Sequence, residues 1–323
     1  MAEHILYAYT LDGHGGGKSI AHGDVVTSLS EKTKLWIHMD VTHEDTRSWM
    51  LKNLPFLDKN IIDALLEEET RPRVAHIDDG TLMILRGVNL NENARPEDMV
   101  SIRLWVDKTR IISVRRRKLK AVVDMETALK EGHGPKNTGQ FTCMLVDKLF
   151  RRMEPVLSEL DETADDIEEQ VLENADSSLR EGIINVRKQA IVFRRYMAPQ
   201  RDALGQLLLA DVKWLDTAHK RDLQESYNRI TRYVEDLEAV RERAQIVKDE
   251  LSNILADKLN KNMYMLSVIA AIFLPLGFLT GLLGVNVAGI PGAENPHGFE
   301  IFAGILTLVV IFQVYLFKKL KWF

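Results

Sequence analysis

Where an uncharged stretch of this sequence ends, it offers Gly284, Val285 and Asn286 in place of an ordinary polar helix cap, and Glu294 and His297 follow within "GAENPHGFE". These residue types suit cations. Asparagine presents a neutral amide oxygen, glutamate a carboxylate that attracts any divalent ion, and histidine an imidazole that binds zinc well and magnesium poorly. Glu294 and His297 also fit a plainly solvated connection, because exposed loops are polar.

Three other constellations call for a reading. "TLDGHGGGKS" comes close to a phosphate-cradling loop, but Asp12 stands where the first glycine belongs, and "IAHGDVV" offers a glycine where a helix should open beyond Gly17, Lys18 and Ser19. A glycine turn between strands is the simpler expectation, with no nucleotide as partner. The 9 histidines include no pair at metal-ligand spacing and there is no CxxC, so no closed structural zinc site is expected, and His38 and His43 read as satisfied surface residues. The acidic run "LDETADDIEEQVLE", Asp161 to Glu173, reads as a solvated helix face, or else as a surface that concentrates cations along a pore. Arg187, Lys188, Arg194, Arg195 and Arg201 read as partners for neighbouring helices rather than as a ligand site.

The elements that must position these residues emerge from charge segregation. Charged residues make up 28% of the chain, yet none lies between Asn262 and Ala293, and none between Glu300 and Lys318. The first uncharged span, 262–283, is long enough for about 33 Å of helix at about 1.5 Å per residue, which matches a bilayer core. The second, 301–317, is at the short limit for a crossing. Lys258 and Lys261 precede the first span and Lys318, Lys319 and Lys321 follow the second, while the connection carries no Lys or Arg. Both termini are therefore expected in the cytoplasm. The first residues do not resemble a secretory leader, so no removal is expected there. A single cysteine, Cys143, permits no intrachain disulfide and suits a reducing interior, and a net charge of -5 argues against nucleic acid as a partner.

Ahead of the spans, the first third reads as short strands ("ILYAYTL", "KLWIHMD", "GTLMILRGVNL", "MVSIRLWVD", "TRIISVR") with a hairpin corner at Asp107 and Lys108, interrupted by the helical patterns "HEDTRSWMLKNL" and "DKNIIDALLEEE". This predicts an α/β domain over 1–138. Long amphipathic helices follow over 139–261: one from Phe141 to Asn174, and a second from about Leu179 to Tyr196 that returns along it. A last helix has the seam Tyr227, Ile230, Val234, Leu237, Val240, Ala244, Val247, Leu251, Ile254 and Leu259, expected to pack on its own copies. With no proline between Pro199 and Pro275, that helix should run unbroken into the membrane region, 262–323. Two spans cannot enclose a pore alone, so conduction would require a ring of copies. Asn260, Met263, Ser267, Ala270, Leu274, Gly277, Gly281 and Gly284 recur at steps of three and four and form an uncharged stripe. "GFLTG" is a small-xxx-small pattern for close helix contact, and Pro275 leaves the carbonyl of Ala271 without its helical donor, tolerable where it lines a wet pore.

A long cytoplasmic helix entering the membrane, Pro275 shortly before a Gly-x-Asn tripeptide, a short outward loop and a second span with a basic end resemble the CorA-type divalent-cation transporters. The common family form of the tripeptide is Gly-Met-Asn, and this chain has Gly284, Val285 and Asn286. With "TRPRV" at 70–74, "RRYMAPQRD" at 194–202, "AGIPG" at 288–292 and the terminal Lys-Trp pair, the chain looks like the zinc-transporting ZntB branch. The resemblance implies a homopentamer in a bacterial inner membrane, with the α/β domains and long helices forming a funnel and stalk. It also implies a pore lined by Asn260, Met263, Ser267, Leu274, Gly277 and Gly281, with Asn286 at the outer mouth. Gly284 would end the helix in a left-handed conformation, and five Asn286 amides would hold a hydrated ion by its water shell. Glu294 and His297 would then repeat as rings around the entrance. No resident cofactor is implied, since the divalent ion is cargo and the partners are the bilayer and further copies of the chain. Competing readings are a magnesium, cobalt or nickel channel of the same type, a tail-anchored coiled-coil scaffold without flux, and an ATP-driven enzyme.

Overall fold

The computed structural model of the protein describes residues 4–31, 33–68, 70–284, 290, 292 and 295–319. The chain forms two compact units, Met1–Asp249 and Glu250–Phe323.

In the first unit, seven strands make one sheet: β1 (Ile5–Leu11), β2 (Gly17–Ser19), β3 (Leu35–Asp40), β4 (Arg73–Ile77), β5 (Gly80–Gly87), β6 (Val100–Val106) and β7 (Arg110–Arg115). Their spatial order is β2-β1-β3-β7-β6-β5-β4, with β3 and β7 parallel and all other pairs antiparallel. The parallel pair lies mid-sheet, and Leu35 to Met39 are buried without alternation, as strands covered on both faces must be. At the corner expected between β6 and β7, Asp107 Oδ1 accepts from the amides of Thr109 and Arg110 at 2.8 Å each. Two strands escaped the pattern: β2 has three residues, and β4 follows the proline of "TRPRV".

Short helices α1 (Val25–Ser30), α2 (Asp45–Asn53), α3 (Lys59–Leu66) and α4 (Lys120–Lys130) accompany the sheet. Asp58 caps α3 by accepting from Ile61 N at 2.9 Å, and Ile61, Ile62 and Leu65 turn into a core shared with Leu35, Ile37 and Met39. Asn137 likewise caps α5 (Thr138–Arg151) through Gln140 N at 2.7 Å.

The long helices depart from expectation in three respects. The run from Phe141 to Asn174 is two helices, because α6 (Glu154–Asn174) starts afresh with Pro155 in its first turn, where a missing N–H costs nothing. The next helix, α7 (Leu179–Leu209), does not stop near Tyr196 but passes through Pro199. Buried Met197, Gln200, Ala203, Leu204 and Leu207 hold that segment in place, outweighing the one backbone bond that proline removes. Finally, the seam of α8 (Thr217–Leu283) is covered within the chain over most of its length, although Leu259 at its end is exposed. Ile230, Val234, Leu237, Val240, Ala244 and Val247 are at most 5% exposed within one protomer. Ala244 and Val247 close with Ala164 and Ile167 of α6 and Ile183 and Val186 of α7 around a small apolar space. Burying a side chain of this kind contributes about 1.5–3 kcal/mol, so an intramolecular three-helix seam is strongly favoured.

The second unit holds the C-terminal part of α8 and α9 (Gly298–Lys319). Both helices contain a stretch long and apolar enough to cross a membrane. Met263, Phe273, Leu274, Phe278, Phe299 and Leu308 all point outward, as expected of helices whose remaining neighbours are lipid or other protein.

Candidate ion pathway

Within the second unit, α8 has two distinguishable faces. Val268, Ile272, Leu276 and Leu279 are buried or half-buried and repeat at helical spacing, forming the side turned to α9. At about 100° per residue, Met263, Leu274 and Gly281 lie roughly opposite that side, and Asn260, Ser267 and Gly277 flank them. All six of these residues are exposed in the protomer. Gly277 also borders a groove between the helices, with Phe273, Thr280, Leu306 and Val310. Ser267 Oγ donates to Met263 O at 2.8 Å, so this hydroxyl is spent on its own helix. The stripe is therefore uncharged and only weakly polar.

The carbonyl that Pro275 frees is not left to a wet pore. Gln313 Nε2, from α9, donates to Ala271 O at 3.2 Å. Gln313 is 8% exposed within the uncharged part of α9, where most side chains point outward. Sequence reading passed over it, although a lone amide in the middle of an apolar span was the available signal.

At the end of α8, Gly284 N closes a last helical bond to Thr280 O at 2.9 Å. A Cβ on Gly284 would meet that same oxygen at 2.8 Å, so glycine serves a close approach. The left-handed conformation expected at Gly284 is not found there. Val285, Asn286 and Glu294 lie outside the described residues. His297 is described and exposed, with its ring Nδ1 3.1 Å from Glu300 Oε2 and its amide donating to Asn295 Oδ1 at 3.0 Å. Glu300, from the first turn of α9, thus joins the loop's polar group without having been singled out in the sequence.

The remaining candidates belong to the first unit. Asp12 Oδ1 accepts from the amides of His14, Gly15 and Gly16 at 2.7, 3.0 and 3.0 Å, which holds its pKa below the ordinary carboxylate value. The turn's own carboxylate occupies the place a phosphate would take, and Gly17 to Ser19 continue as strand β2 rather than a helix. His38 is not a surface residue: it is fully buried, with Nδ1 2.8 Å from Ser113 Oγ. Burial and then Arg115 push its pKa down to about 3, which keeps the ring neutral. His43 is partly buried and lies 3.7 Å from Asp45. In the acidic run, Arg243 of α8 bridges Asp161, at 2.6 Å, and Asp165. Arg194 pairs with Glu238 of α8 at 2.6 Å. Among the described residues no three His, Cys, Asp or Glu side chains converge as a metal site.

Residues 31–319 match the family described as CorA-like Mg2+ transporter protein. The chain belongs to that family. It is 38% identical to the zinc transport protein ZntB of Yersinia enterocolitica over 317 residues, which is 98% of this chain and 95% of that one. It is also 38% identical to the divalent cation transporter CmaX of Pseudomonas aeruginosa over 321 residues, 98% and 96% of the two chains. The full-length CmaX structure superposes with a TM-score of 0.87 and 38% identity, covering 100% of this chain and 99% of that one. The α/β domain, long helix and C-terminal apolar helix are thus those of a CorA-type transporter. The chain is a divalent-cation transporter of the CorA/ZntB family, a family of membrane ion transporters rather than enzymes.

Proposed function

We propose that the protein carries Zn2+ through a pore made by five copies of the chain. In this reading 1–138 and 139–261 form the cytoplasmic funnel and stalk, and 262–323 forms the membrane region of a bacterial inner-membrane protein with both termini inside. The observation that carries it is the uncharged, uncovered stripe of α8 on the side away from α9, which runs toward Gly284. A face too apolar for water yet without a partner in its own chain suits a ring of copies, and its lack of charge suits an ion that retains part of its water. Zinc is favoured by the ZntB relative matching over 98% of the chain. A broader divalent specificity is the second reading, favoured by the equal identity to CmaX. Purified protein in liposomes decides between them: dye-reported influx of Zn2+, Mg2+, Co2+ and Ni2+, with and without a proton gradient, should be largest for Zn2+. Equal rates for all four ions would leave only the broader reading, and no flux would overturn both.

Two predictions follow from the same pathway. Met263 and Leu274 are 65% and 71% exposed on the proposed pore face, where apolar rings can gate by dewetting. Met263→Ser and Leu274→Ser should each raise resting zinc leak several-fold, and an unchanged leak in both places the gate elsewhere. At the entrance, the His297 imidazole is a good zinc ligand and a poor magnesium one. His297→Ala should therefore lower zinc uptake at neutral pH. Glu294→Gln should lower zinc and cobalt uptake alike. Initial rates at neutral pH check this, and a wild-type rate in His297→Ala removes the imidazole from the entrance.

A further inference from the structure

"TRPRV" and "RRYMAPQRD" lie far apart in sequence, and neither belongs to the ion pathway, yet the fold brings them to one cavity in the first unit. Gln200, fully buried in α7, makes the junction: Arg86 N donates to its Oε1 at 2.6 Å and its Nε2 donates to Arg86 O at 3.1 Å. Arg86 in turn donates to Thr70 O at 2.7 Å and to Met99 O at 2.7 Å, and its guanidinium lies 4.2 Å from the centre of the Tyr196 ring. The cavity beside this junction has a volume of about 730 Å3.

Its wall is rich in one sign of charge. Arg71, Arg86, Arg116, Arg117 and Arg195 line it, against Glu68, Glu97 and Asp98. Arg116 is taken by Glu68 at 2.9 Å, whereas Arg71 and Arg117 have no carboxylate partner among the described residues. Arg195 meets the Tyr196 ring at 5.8 Å. Nearby, the fully buried Arg103 donates through Nη2 to Glu67 O at 2.6 Å, while its Nε and Nη1 have no hydrogen-bond partner. Burial, then Arg116 and Arg86, lower its pKa to about 10, so positive charge is in local excess. The chain as a whole carries -5, which makes this basic pocket a local inversion. Guanidinium forks match phosphate oxygens in pairs, and an anion here would relieve repulsion among like charges that the fold holds together.

We infer that this cavity binds a small, soluble phosphate-bearing anion, with Arg71, Arg117 and Arg195 as its ligands. The site lies in the first unit and holds none of the residues of the proposed pore face, so its test reads binding and not flux. Full-length protein in detergent is titrated calorimetrically with inorganic pyrophosphate. The expected result is saturable binding that weakens steeply with salt, drops at least tenfold in Arg71→Ala/Arg117→Ala, and tightens in Glu97→Gln, which removes a like charge from the ligand's surroundings. The opposite responses of the two variants separate a ligand site from general loss of folding. Citrate serves as the carboxylate control, and vesicles of phosphatidylglycerol against phosphatidylcholine serve as the lipid source of phosphate. Absence of pyrophosphate binding, equal binding in the double variant, citrate binding as tightly, or recognition of phosphatidylglycerol vesicles alone would each overturn the inference.

Discussion

Zinc influx into liposomes collapses when Asn286 is replaced by alanine, while the assembled protein is recovered in normal amount. The expectation rests on what a mouth made of repeated amides can do. A hydrogen bond from the ion's water shell to an amide oxygen is worth about 1 kcal/mol net, so in the proposed pentamer removing one from each copy would cost a few kcal/mol of ion binding. Every 1.4 kcal/mol is tenfold, which puts the loss at about a hundredfold or more. Asn286→Asp separates the role of the neutral oxygen from mere polarity: five carboxylates hold the ion more tightly and slow its release, so flux falls although zinc binding rises. Paired measurements of influx and of zinc binding on both variants, with size-exclusion chromatography as the assembly control, check the two arms. An Asn286→Ala protein that transports zinc at near the normal rate removes the tripeptide from selectivity.

Gln313→Leu should destabilise the membrane unit by about 1–3 kcal/mol, the cost of a buried carbonyl left without its donor. The effect should depend on Pro275. In the wild-type chain the proline supplies no N–H to Ala271 O, and Gln313 Nε2 fills the gap at 3.2 Å. Pro275→Ala restores the helical donor, so in that background Gln313→Leu should cost much less. Thermal unfolding of the four proteins in detergent forms a double-mutant cycle, and a coupling of about 1 kcal/mol or more is expected from residues that share one acceptor. Additive effects would mean that the amide of Gln313 does not serve the carbonyl that the proline frees. Because the proline lies in the proposed pore helix, zinc influx through the same four proteins reports whether this bond also sets the conducting shape of that helix.

Both predictions lean on residues of different legibility. Asn286 stood out because it follows an uncharged run and a glycine, whereas Gln313 is one amide among apolar residues and acquires meaning only beside Ala271. Pro275 announced a missing donor, but which neighbour replaces it depends on how two helices are rotated against each other. Periodicity within one helix carries no information on that rotation. The same limit explains the α8 seam. Spacing at three and four marked Ile230 to Val247 as a packing stripe, but the stripe looks alike whether the partner is another copy or, as found, α6 and α7 of the same chain.

By itself the sequence determined the elements whose causes are local: the two apolar spans, the unbroken α8 and the hairpin corner at Asp107. Each follows from side-chain polarity or a hydrogen bond within a few residues. Tertiary structure alone decided the outcomes that depend on neighbours distant in sequence. It buried His38 against Ser113 from β7, carried α7 through Pro199 because the flanking residues had a core to fill, and gathered five arginines from separate segments around one cavity. Burial and charge density are properties of what surrounds a residue, and those surroundings exist only once distant segments have packed together.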